Sequence, residues 1–66
     1  MTDRMTLNVF LRMFSDNVLF SIRYRNVIVA ITYNTDERVL SLYYRFYVTE
    51  YRVYPEGTFV TVSIDD

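Results

Sequence analysis

The stretch VLFSIRYRNVIVAITY, Val18 to Tyr33, decides the fold. Its first half alternates, with Val18, Phe20, Ile22 and Tyr24 on one side of an extended chain and Leu19, Ser21, Arg23 and Arg25 on the other. A period of two with one apolar side reads as a half-buried strand. Asn26 marks a tight reversal, and Val27 to Tyr33 is β-branched enough to be the hairpin partner. No Asn-Gly pair sits at the reversal, so the sequence leaves the turn type open.

Downstream, FVTVSI (59–64) repeats the pattern, setting Val60, Val62 and Ile64 against Phe59, Thr61 and Ser63. Before it lies YPEGT (54–58), where Pro55 pre-sets a turn and Gly57, the only glycine, supplies a positive φ. The strand leading into that turn begins at about Phe46 and completes a second hairpin. Between the hairpins, NTDER (34–38) reads as a loop or helix start, and VLSLYY (39–44) fits either a helical turn or a strand.

Upstream, Leu7, Phe10, Leu11 and Phe14 follow the i, i+3, i+4, i+7 spacing of one helical stripe. Thr6 is placed to cap that helix through its hydroxyl, and Ser15, Asp16 and Asn17 to end it. At about 8–10 residues the helix needs a surface to lie on. A second methionine, Met5, precedes it, and residues 1–5 are expected to be an N-terminal extension.

The order helix, hairpin, connector, hairpin predicts a single α+β domain over residues 1–66: one short N-terminal helix packed on a mainly antiparallel sheet of about four strands. A chain of 66 residues buries only about 60% of its unfolded surface, so its core must be rich or shared. One helix covers part of such a sheet. The uncovered face is where a partner or a second copy is expected.

Composition narrows the function. The chain has no cysteine, histidine or lysine, which excludes a disulfide framework and the usual zinc sites and leaves acid–base chemistry to carboxylates and tyrosines. Glu50, between aromatic neighbours, is the best candidate acid; its plain alternative is exposure or pairing with Arg45 or Arg52. A non-enzymatic protein is expected, with no cofactor and no metal. Seven arginines balance eight carboxylates for a net charge of −1, which gives little of the electrostatic attraction nucleic-acid binding rests on. No membrane span or basic, apolar leader is visible, so the expected location is the cytoplasm.

One segment concentrates the adhesive side chains. LSLYYRFYVTEYRVY (40–54) holds five of the seven tyrosines and two of the seven arginines. Tyrosine buries much area at small entropic cost and arginine makes bidentate bonds to carboxylates, so both suit a protein-binding face. The candidate set is Tyr44, Arg45, Tyr47, Tyr51, Arg52 and Tyr54, joined by Arg23 and Arg25 from the first hairpin. The same interleaving could stack single-stranded bases. Packing under the helix, or a homodimer formed face to face or edge to edge, would also use Tyr43, Tyr47, Tyr51 and Val53. A bulge near Phe46 to Val48 would exchange which rings face outward.

MTLNVFL (5–11), SDN (15–17), the hairpin, VLSLYY, YVTEYRV (47–53) and FVTVSI together resemble the very small α+β proteins of phages and prophages, some of which inhibit host defence, anti-CRISPR proteins among them. The resemblance spans nearly the whole chain. It implies a bacterial host cytoplasm and a stoichiometric inhibitor of a host protein, and it carries over no catalytic residue.

Overall fold

The computed structural model describes residues 4–15, 17–56 and 58–66. The turn roles expected of Asp16 and Gly57, and residues 1–3 of the expected extension, lie outside them. Helix α1 (Leu7–Leu11) leads into β1 (Leu19–Tyr24) and β2 (Val27–Tyr33). Helix α2 (Glu37–Leu40) and a 3-10 turn (Ser41–Tyr43) follow, then β3 (Tyr47–Val53) and β4 (Phe59–Asp65). The α+β architecture is the expected one.

The four strands run in the order β2-β1-β4-β3. Each hairpin is antiparallel, and the two meet along a parallel β1–β4 seam, where Phe20 lies beside Val60 and Ile22 beside Val62. The inner strands therefore carry the core. Phe20, Ile22, Val60, Val62 and Ile64 are buried on one face, against Leu7, Phe10 and Leu11 of α1. Phe10, Phe14 and Phe20 meet edge to face, with centroids 5.1 to 6.1 Å apart, the arrangement ring quadrupoles prefer.

Helix α1 is shorter than the stripe suggested, five residues, after which the chain makes i to i−3 bonds from Met13 to Phe10 and from Phe14 to Leu11. A helix this short persists because its first turn is satisfied from outside. The Leu7 amide donates to the Phe46 carbonyl at 2.8 Å, that of Asn8 to Tyr44 at 3.2 Å, and that of Val9 to the Thr6 hydroxyl at 3.4 Å, the expected cap.

The connector thus resolves as helical and lies beside α1, with Leu40 fully buried in the same core. Two short helical pieces, rather than one helix, cover this face. The expected extension over residues 1–5 is corrected at its end: the Met5 carbonyl accepts from the Val48 amide at 2.8 Å, Thr6 bridges Tyr47, and the Arg4 guanidinium lies 4.2 Å from the Tyr47 ring centroid.

Asn34 ties the layers together. Its side-chain oxygen accepts from the Val18 amide at 3.2 Å, and its amide nitrogen donates to the Ser15 carbonyl at 2.6 Å. The first hairpin turn is also settled: Arg25 and Asn26 have φ of 52° and 67°, the pair of positive angles of a type I′ turn, whose twist matches that of the flanking strands.

Candidate functional site

The sheet has a second face with no helix over it. Strand pairing assigns its rows directly, because directly paired residues point the same way. Leu19 lies between Tyr33 and Phe59; Ser21 lies between Ile31 and Thr61, with Arg52 beyond; Arg23 lies between Ile28 and Ser63, with Glu50 beyond. Tyr54 closes the first row, its ring 5.0 Å from that of Phe59, and its amide donates to the Phe59 carbonyl. A shallow polar trough floored by Ser21, Thr61 and Ser63 results, with Arg23, Glu50, Arg52 and Tyr54 along it.

A bulge at Thr49 divides the candidate residues. Without it Tyr47 and Tyr51 would share a face, being four apart on a strand. The extra residue between Val48 and Glu50 instead sends Tyr51 to the helical side, opposite Val62, where its ring sits 5.0 Å from Phe10. Arg23, Tyr47, Arg52 and Tyr54 are therefore together on the open face, whereas Tyr51 is not. Tyr44 lies on the helical side, half-buried among Asn8, Leu11 and Arg12. Arg45 is exposed in the bend before β3.

Arg25 sits at the hairpin turn and faces the end of β4. Its guanidinium reaches Asp65 at 4.0 Å and Asp66 at 3.9 Å, with all three side chains more than half exposed, so the pairs add little stability. Beside it, partial burial of the Tyr24 ring, then the bond its hydroxyl donates to Asp66 Oδ1 at 3.2 Å, hold the phenol above its ordinary pKa. The Arg25 charge opposes that shift. These groups meet at one end of the sheet.

Glu50 stands exposed on the open face rather than enclosed by its aromatic neighbours, and no arginine of the described residues lies within 4.0 Å of it. Among the described residues no three acidic side chains converge closely enough to hold a metal ion, and no helix is long and apolar enough to cross a membrane.

Sequence reasoning omitted Leu19, Ile28, Ile31, Tyr33 and Phe59 from the candidate set. For Leu19 and Phe59 the signal was present, since alternation already placed them opposite the core. Ile28 was concealed by a second bulge, at Val29, which interrupts the alternation of β2, whereas Ile31 and Tyr33 lie in its regular part, opposite Ser21 and Leu19.

No protein-family model matches the chain, and neither a curated protein nor a solved structure does.

Proposed function

We propose that this protein is a non-enzymatic, stoichiometric protein-binding module that acts through the part of its open sheet face formed by β1, β4 and β3. One observation carries the reading: Arg23 and Arg52 flank a neutral floor of Ser21, Thr61 and Ser63, and neither arginine has a carboxylate within 4.0 Å among the described residues. The Tyr54–Phe59 pair adds an amphipathic aromatic anchor at one end. Such a surface fits a protein patch with an apolar centre and carboxylates at its rim, since arginine pairs bidentately and tyrosine fills pockets. The resemblance to small phage proteins makes the partner a host bacterial protein, of a defence system, and the action inhibition by occlusion.

Single-strand binding is the weaker reading on the same face. Base stacking needs a free ring surface, and one side of Tyr47 is already covered by the Arg4 guanidinium at 4.2 Å. Tyr51, the other ring in the middle of β3, points to the helical side.

The test is co-elution of the tagged domain with a partner from nuclease-treated bacterial lysate, with Arg52→Ala/Tyr54→Ala and Tyr44→Ala as paired variants. A one-to-one complex lost only by the open-face variant is the expected result. Equal loss with Tyr44→Ala, or retention that vanishes with nuclease and salt, would sink the proposal.

A further inference from the structure

The open face is a groove with unlike walls. Along one side stand Ile28, Ile31 and Tyr33 of β2, exposed by 49%, 60% and 51%, and no charge interrupts them. Along the other stand Glu50 and Arg52 of β3, with Tyr54 just past its end. Between them β1 and β4 present the short side chains of Ser21, Thr61 and Ser63, so the middle is low. The outer strands are three strand spacings apart, about 14 Å at about 4.8 Å each. An α-helix with its side chains is about 10–12 Å across and fits that width, whereas a single extended strand would touch one wall and leave the other exposed.

We infer, resting on the reading of this face as a protein-binding surface, that its occupant is an amphipathic α-helix of the partner, laid along the strands with its apolar stripe on the β2 wall and acidic side chains on the flank toward β3. Charge sets the orientation. Arg23, although rooted in β1, lines the same trough as Arg52, Thr61 and Ser63, and no β2 residue borders it. Carboxylates on that flank meet both guanidiniums, while the β2 wall offers them nothing to pair with. Spacing sets the sequence of the helix. Ser63 pairs with Arg23 and Thr61 with Arg52, so the two arginines stand two residues apart along the strands, about 6.7 Å. Residues i and i+4 of a helix are about 6.0 Å apart along its axis, so one acid meets each arginine. Apolar residues at i, i+3, i+4 and i+7 then rest on Ile28, Ile31 and Tyr33. Glu50, level with Arg23 on the charged wall, repels the acidic flank and weakens binding, but two cations oppose one anion and the preference for acids holds.

Titration of a designed helix into the isotope-labelled full chain, followed by nuclear magnetic resonance shifts, tests it. The probe is a capped peptide of about 15 residues, about 22 Å long against the roughly 23 Å of seven-residue β4, with a leucine stripe and glutamates at i and i+4 on one flank. Expected is saturable binding below about 1 mM, with shifts at Ile31, Tyr33, Arg23 and Arg52. Lysines in place of the glutamates should weaken it about tenfold, as should Ile31→Thr/Tyr33→Thr or Arg52→Gln with unchanged circular dichroism, whereas Glu50→Gln should tighten it. No saturation by about 1 mM overturns the inference, and so does equal binding of the lysine peptide or of a proline-substituted peptide that cannot be helical. Shifts confined to the α1 side, or a weaker complex with Glu50→Gln, do the same. In the co-elution assay, a partner released by Arg52→Ala/Tyr54→Ala but retained by Ile31→Thr/Tyr33→Thr overturns the helix while the binding-module reading stands; release by both supports it.

Discussion

Leu40 and Leu42 stand two residues apart in VLSLYY, and the structure gives them opposite roles: Leu40 is fully buried and Leu42 is 70% exposed. Replacing each by alanine removes the same three carbons from the same connector. At Leu40 the transfer loss alone is about 2.4 kcal/mol, from about 0.8 per methylene, and the unfilled cavity brings the total to about 3–4. A domain of 66 residues has roughly 3–10 kcal/mol of stability in all. Its unfolding entropy, near 2.1 cal/mol/K per residue, makes 1 kcal/mol worth about 7 °C, so Leu40→Ala should lower the melting temperature by roughly 20–30 °C or leave the chain unfolded. Leu42→Ala should stay within about 0.5 kcal/mol, or roughly 4 °C. Thermal and urea unfolding followed by circular dichroism measure both. Equal losses, or a larger loss at Leu42, would refute the placement of the connector over the core.

Three other expectations follow from the geometry. Arg25→Asn/Asn26→Gly installs the residue pair that type I′ turns favour and removes an arginine held at φ 52°, so a gain of about 1 kcal/mol is expected, read as a raised melting temperature. The surrendered ion pairs are exposed and offset little of it; no gain would contradict the turn assignment. Asn34→Ala leaves the Val18 amide and the Ser15 carbonyl without their shared partner and should cost about 1–2 kcal/mol by urea denaturation, whereas a neutral result would mean that water replaces both bonds. The Tyr24 phenol, raised by burial and by Asp66, favours its protonated form when folded, so its contribution is complete below the unfolded tyrosine pKa and is lost as pH rises through the higher folded one. Tyrosinate absorbance should accordingly lose a component that titrates above the ordinary tyrosine pKa in Tyr24→Phe; an unchanged alkaline limb would contradict the raised phenol.

Much of the fold was legible locally. Phe20 and Ile22, then Val60, Val62 and Ile64, declared their buried side because a strand alternates strictly, and Leu7, Phe10 and Leu11 did so through helical spacing. Thr6 was readable as a cap for the same reason, since the bond it makes spans three residues. Three things were not readable. The parallel meeting of β1 with β4 joins segments about 40 residues apart, and no local period records which strands become neighbours. The separation of Leu40 from Leu42, and the short α1, depend on carbonyls of Tyr44 and Phe46 reaching the first turn of a distant helix. The bulges at Val29 and Thr49 shift the register by one residue, which moved Tyr51 off the open face that holds Tyr47, Arg52 and Tyr54, and brought Ile28 onto it. Sequence by itself determined which segments extend or coil and which of their residues seek the core, because backbone geometry enforces those periods residue by residue. Tertiary structure alone decided the strand order, the covering of one face and the composition of the other, because those depend on hydrogen bonds and packing between segments that only meet once the chain has folded.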